Sequence, residues 1–296
     1  MLIVKLIGGI GNQMFQYAFG KCLASMLQVP VKFDIVDLLD RSDKLNITYR
    51  DFELSVFKAK VEIASQEDLQ IFNHNPKNIF SKLSNKIKRS FLKVDKFNEK
   101  AYFVYDPTVL NCSSYTYFEG FWQNEKYFNK CESEIRKDLA FKPLLSKENL
   151  TFADTIKSSN SISIHVRRGD YITNSQANQF HGVCSVEYYC KAVALIVEKI
   201  PNPSLFFFSD EPDWVKQNLQ FNLPTTYISH NVGKSSFIDM QLMSMCKHNV
   251  IANSPFSWWG AWLNNNPKKI VIAPKDWMIV NFVDSSDLIP KQWIRI

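Results

Sequence analysis

The sequence contains no Cys-x-x-Cys pair, no Asp-x-Asp pair and no glycine loop ending in Gly-Lys-Ser or Gly-Lys-Thr, and no stretch approaches the ~20 apolar residues of a membrane span. Each absence removes a class. The six cysteines, at 22, 112, 131, 184, 190 and 246, form no zinc-like spacing with the five histidines, which predicts reduced, mostly buried thiols in a cytosolic enzyme. Without Asp-x-Asp there is no carboxylate pair to hold a metal on a diphosphate, so no metal and no cofactor is expected. Met1 to Gly9 is too short for a signal-peptide core and runs into a glycine turn like a first strand, which predicts a soluble cytoplasmic protein. The net charge of +6 selects neither nucleic acid nor a membrane nor an anionic substrate, and nucleic acid is not expected as a partner.

Residues 2–7 read as a short apolar strand broken at Gly8-Gly9-Ile10-Gly11, after which Asn12 is placed to cap a helix through Gln28. Met14, Tyr17, Ala18, Cys22, Leu23 and Met26 recur at helical spacing, and Val31 to Ile35 reads as the next strand. This β-loop-α-β unit has a glycine loop at a helix head where backbone N–H groups meet an anion. Met14 stands where the dinucleotide fingerprint requires its third glycine, and Asp34 imitates its ribose-binding acid. From Asp37 to Lys100 the α/β rhythm fades. Inside it, residues 77–93 read as a basic amphipathic helix, either packed on the core or resting on an anionic membrane face.

From residue 161 strands and helices alternate: strands at 161–166, 205–209, 225–229, 249–252 and 269–273, helices at 186–200, 212–220, 235–247 and 256–265. Strands joined by helical crossovers form a parallel sheet, so two Rossmann-like domains are expected, residues 1–150 and 151–296. Parallel strands end on one edge, where ligands bind. There the sequence delivers His165, Arg167, Arg168 and Asp170, then Ser209-Asp210-Glu211, then Asn253-Ser254-Pro255-Phe256-Ser257. Two guanidiniums call for bidentate oxygen partners, and Ser254 before Pro255 marks a helix N-terminus suited to an anion. Phosphate is the natural ligand.

The runs His165-Val166-Arg167-Arg168-Gly169-Asp170-Tyr171, Gly8-Gly9-Ile10-Gly11-Asn12-Gln13-Met14-Phe15-Gln16-Tyr17-Ala18, Phe208-Ser209-Asp210-Glu211 and Asn253 to Trp262 together resemble the α-1,2-fucosyltransferases, glycosyltransferase family 11, of bacterial type. The resemblance implies a B-type glycosyltransferase with two Rossmann-like domains facing across a cleft, acceptor on the N-terminal side. It implies inverting transfer of L-fucose from GDP-β-L-fucose to the 2-hydroxyl of a terminal galactose. It assigns Arg167 to the β-phosphate and Arg168 to an internal salt bridge. His165 and Asp239 would contact the guanosine, and Ser254, Ser257 and Asp210 would belong to the substrate site. Gly9, Gly11 and Asn12 bring the first loop to the donor. Asp170 is the nearest candidate base and a competing scaffold for the arginines; Asp34, Asp210 and His181 are further candidates. A fucosyltransferase of another linkage, a non-catalytic sugar-binding protein and a nicotinamide-dependent dehydrogenase stand as alternatives, and peripheral contact with the inner membrane face is a further expectation.

Overall fold

A computed structural model describes residues 1–296 except 43–48, 73–91, 143–144, 174–178, 181 and 281–282. The expected basic helix at 77–93 lies almost wholly outside the described residues, as does His181. The chain divides into two units, Met1–Lys142 with Ser286–Leu288, and Pro143–Ser285 with Ile289–Ile296.

Unit 1 begins with β1 (Leu2–Lys5), whose three apolar residues are fully buried, and turns through Gly8 into α1 (Ile10–Leu27). The helix ends on Gln28, which takes the left-handed conformation. β2 (Val31–Asp34), the short helices α2 (Val36–Leu39) and α3 (Gln66–Gln70), β3 (Asp95–Asn98), β4 (Thr116–Glu119) and α4 (Glu132–Asp138) complete the unit. Its sheet is parallel throughout, in the order β2-β1-β4-β3. β3 is a polar edge strand, mostly exposed, and the alternation expected of a half-buried strand is lost in it.

Cys22 and Cys131 are joined by a disulfide with Cα atoms 5.6 Å apart, which ties α1 to the start of α4 across 109 residues. This corrects the expectation that every thiol is reduced. Spacing gives no hint of it, because the two residues meet through the packing of α1 rather than through a local pattern.

Unit 2 comprises α5 (Lys147–Ser158), β5 (Asn160–Val166), α6 (Gly169–Thr173), α7 (Val186–Val197), β6 (Pro203–Ser209), α8 (Pro212–Asn218), β7 (Thr225–Ile228), α9 (Phe237–Met245), β8 (His248–Val250), α10 (Pro255–Leu263), β9 (Val271–Ala273) and β10 (Ile294–Arg295). The six-stranded parallel sheet runs β10-β9-β8-β5-β6-β7. Successive side chains of a strand face opposite ways, and both faces here are covered. Leu205 and Phe207 pack with Ile162, Ile164, Val166 and α7, while Phe206 and Phe208 pack with Ile228, α5 and α9. The serines of β5 are buried too, and Ser163 Oγ accepts from Asn249 Nδ2 at 2.7 Å. The second half is doubly wound, with α5 spanning residue 150 as part of it.

Candidate active site

The register of β5 on β6 pairs Val166 with Ser209, so the residues that follow, Arg167 with Asp210 and Arg168 with Glu211, emerge side by side at the carboxyl edge. Arg167 Nη1 lies 2.9 Å from Asp210 Oδ2, and Arg168 Nε lies 3.0 Å from Glu211 Oε2. Asp210 also accepts the Arg168 backbone N–H at 3.0 Å. Gly169 passes so close that a Cβ there would stand 2.5 Å from Asp210 Oδ2. Partly exposed pairs of this kind contribute about 0.2–1 kcal/mol each, so their effect is orientation more than stability. Arg168 is held further by the Trp214 ring, 3.7 Å beneath its guanidinium, whereas Arg167 stands 5.6 Å from the Tyr171 ring.

His165, the next inward-facing residue of β5, is buried; burial first, and the Arg167 charge second, depress its pKa to about 3, so the imidazole is neutral at physiological pH. Its Nδ1 is buried with no hydrogen-bond partner in the described structure. Asp170 opens α6 with its backbone, and its side chain lies outside the described ones.

At the third strand end Ser254 caps α10, its hydroxyl accepting from Phe256 N at 3.3 Å, with Pro255 in the first turn. Ser257 is fully buried and donates to the carbonyls of Ala252 and Ser254 at 3.3 and 3.2 Å. Its hydroxyl therefore braces the turn at the head of α10. Asn253 anchors neighbouring loops, donating to Gly182 and Trp277 carbonyls at 3.3 Å each.

Asp239 lies in the first turn of α9, beyond β7. Burial raises its pKa to about 7 although Asn231 Nδ2 donates to it at 2.8 Å. Asn231 in turn exchanges two amide bonds with Asn149, each 3.0 Å, and His230 Nε2 meets Asn149 Oδ1 at 3.0 Å. Neither Asn149 nor Asn231 was singled out by the sequence; the one signal was a polar run directly after β7.

The glycine turn of unit 1 departs from expectation. Gly9, not Asn12, is the N-cap of α1, and Asn12 stands inside the first turn. The head of the helix is occupied from within: Glu53 accepts the Ile10 N–H, with Arg50 beside it, and both border Gly9 at 3.9–4.0 Å from where a Cβ would be. Burial raises the Glu53 pKa against the opposing pull of the Ile10 N–H and Arg50. Gln13, fully buried, locks the arrangement by donating to Gly8 O and Asp51 O at 2.9 and 2.8 Å and accepting Glu53 N at 2.9 Å. The expected free anion site at this helix end is thus closed by a carboxylate of the chain itself. Asp34, the apparent ribose acid, is buried with Tyr117 Oη at 2.7 Å and Val36 N at 2.9 Å on its two oxygens. Among the described residues no group of three His, Cys, Asp or Glu side chains is placed to hold a metal ion, and no helix is long and apolar enough to cross a membrane.

Two units, each built on a parallel sheet and one with an arginine cluster at its strand ends, have the α/β fold of the B-type glycosyltransferases. A solved structure of the α-1,6-fucosyltransferase NodZ, soaked with GDP-fucose, shares the fold at a TM-score of 0.50 and 12% identity, over 92% of this chain and 94% of that one. The profile of glycosyl transferase family 11 matches residues 1–296, and the chain belongs to that family. An α-1,2-colitosyltransferase of Escherichia coli is 33% identical over 100% of this chain and 99% of its own length. An O-antigen biosynthesis glycosyltransferase of Escherichia coli, WbnK, is 35% identical over 98% and 99%. A rat galactoside α-(1,2)-fucosyltransferase 2 is 22% identical over 49% of this chain and 43% of its own.

Proposed function

We propose that this glycosyltransferase moves L-fucose, with inversion, from GDP-β-L-fucose to the 2-hydroxyl of a terminal galactose, without a metal ion. The observation that carries the reading is the placement of the two arginines at the strand ends: Arg168 is held by Glu211 and the Trp214 ring, and Arg167 emerges from the same edge oriented by Asp210. Arg167 takes the β-phosphate and compensates the charge that grows on it as the C1–O bond breaks. Asp239 accepts from the guanine N–H groups, the neutral His165 offers its unpartnered ring nitrogen to the nucleoside, and the Ser254 hydroxyl and the head of α10 face the diphosphate. Asp170, the carboxylate nearest the arginines in sequence, is assigned to the proton of the acceptor hydroxyl.

A second donor has specific support, because the relative that matches the whole chain at 33% identity is a colitosyltransferase. Colitose is fucose without its 3-hydroxyl, so the two readings differ at one atom of the donor. The deciding experiment offers GDP-fucose and GDP-colitose in turn, with EDTA present, to a panel of β-galactosides and determines the product linkage by NMR. Fucosyl transfer to O2 supports the first reading, preferential colitosyl transfer the second. GDP release that needs added metal, or a product at another hydroxyl, refutes both. We further assign the enzyme to the cytoplasm, at work on a surface-glycan precursor at the inner membrane face.

A further inference from the structure

The two amides behind Asp239 are buried: Asn149, in the first turn of α5, is 2% exposed and Asn231, between β7 and α9, is 7% exposed. Replacing a buried hydrogen-bonded pair by apolar groups of the same shape can be nearly neutral for stability, so stability alone does not account for two asparagines here. Each of their hydrogens has a direction. A carboxylate only accepts, so Asn231 turns its Nδ2 to Asp239 Oδ1 at 2.8 Å. The second N–H of that nitrogen goes to Asn149 Oδ1 at 3.0 Å, and Asn231 Oδ1 receives Asn149 Nδ2 at 3.0 Å. The other N–H of Asn149 reaches Ser146 Oγ, the cap of α5, at 3.1 Å. Asn149 Oδ1 accepts again from His230 Nε2 at 3.0 Å, which places a proton on Nε2, and the His230 ring is stacked on Phe152 with centroids 5.4 Å apart.

Turning Asn231 over would set its oxygen against the carboxylate and break both bonds to Asn149. The amide therefore has one orientation. Among the described residues Asn231 is the one side-chain hydrogen-bond partner of Asp239, and no charged side chain is paired with that carboxylate. We propose that Asn231, itself oriented by Asn149 and His230, is the positioning residue that holds the Asp239 carboxylate in the plane of the guanine N1–H and N2–H donors, and so sets a preference for guanine over adenine. On the edge where guanine offers these two donors, adenine offers N1 as an acceptor. A carboxylate turned out of plane thus loses its pairing to guanine and loses nothing toward adenine. The inference rests on the Asp239–guanine contact proposed above and adds the residues that make it selective, all of which belong to unit 2.

The test compares GDP with ADP, which carry the same diphosphate and ribose and differ in the base. By calorimetric titration the parent should bind GDP about 100-fold or more tightly than ADP. Asn231→Ala removes one hydrogen bond to a charged group and should weaken GDP about tenfold, with the Kd for ADP within about threefold of the parent's. Asn149→Ala reaches Asp239 only through Asn231, so it should lower the GDP/ADP preference about fivefold, and the double variant should lose no more than Asn231→Ala alone. Asp239→Asn should abolish most of the preference. If Asp239→Asn loses the preference while Asn231→Ala keeps it, the proposal is overturned and the guanine contact stands. If Asp239→Asn keeps it, the guanine contact is overturned and the proposal falls with it. Equal weakening of GDP and ADP by Asn231→Ala assigns the amides to folding and also overturns the proposal.

Discussion

Arg167 and Asp210 stand one residue past the last paired positions of two neighbouring parallel strands, and their side chains meet at 2.9 Å. The strand register itself sets the guanidinium's direction, and the close pass of Gly169 over Asp210 admits no side chain at that point. Replacement of Arg167 by Ala, or by Lys, which lacks the planar fork, should lower kcat/KM by about 100-fold or more. Gly169→Ala should push Asp210 aside and weaken turnover without unfolding the protein. Turnover of Arg167→Ala within about tenfold of the parent, a difference of only ~1.4 kcal/mol, would remove Arg167 from the site.

Asp239 should make nucleotide binding pH-dependent. Burial lifts its pKa to about 7, so the carboxylate proposed to accept guanine N–H groups is fully formed only above that value. The Kd for GDP, measured calorimetrically, should rise as the pH falls from 8 to 6, and Asp239→Asn should bind weakly with no such slope. An unchanged slope in Asp239→Asn would assign the titration elsewhere.

Stability should move the opposite way. Glu99 and Asp239 both have folded-state pKa values of about 7, raised above the ordinary carboxylate range by burial. Tyr127 is the ionisable neighbour that faces Glu99, and it stays protonated throughout because burial raises its own pKa. A raised carboxylate pKa gives stability that is complete below the unfolded-state value, about 4, and lost as the pH rises through 7. Thermal melts should therefore show a higher midpoint at pH 6 than at pH 8. Glu99→Gln and Asp239→Asn should each remove part of that difference.

The disulfide predicts a thiol count. Denatured without reductant, the protein should titrate the four free cysteines, Cys112, Cys184, Cys190 and Cys246, and all six only after reduction. Closing a loop of 109 residues restricts the unfolded chain by about 5 kcal/mol, so reduction should lower the melting midpoint by several degrees. Six reactive thiols before reduction would refute the bond.

What the sequence discloses and what it hides separate along physical lines. The doubly wound half was legible because its strands are near-continuous apolar runs and its helices are amphipathic; Phe206, Phe207 and Phe208 announce a strand buried on both faces. The arginine cluster was legible for the same reason, since strand ends can be counted. Unit 1 was half legible: Leu2–Lys5 and α1 declare themselves, whereas β3, Asp95-Lys96-Phe97-Asn98, has the composition of a loop and becomes a strand only by pairing with β4. Glu53 and Asn231 acquire their parts through partners far away in the chain, Asn231 reaching Asn149 across 82 positions, and no local periodicity reports such a contact. The inward bonds of Ser257, a hydroxyl within a motif that bonds the carbonyls of Ala252 and Ser254, were likewise hidden from the sequence.

Glu53 at the head of α1 also makes two look-alike halves chemically unequal. A helix end whose first N–H is taken by a carboxylate of its own chain has one donor fewer to offer a phosphate. On the proposed function, the nucleotide then belongs to the edge bearing Arg167 and not to the head of α1. Titrated with GDP, it should saturate at one molecule per chain, with no weak second event.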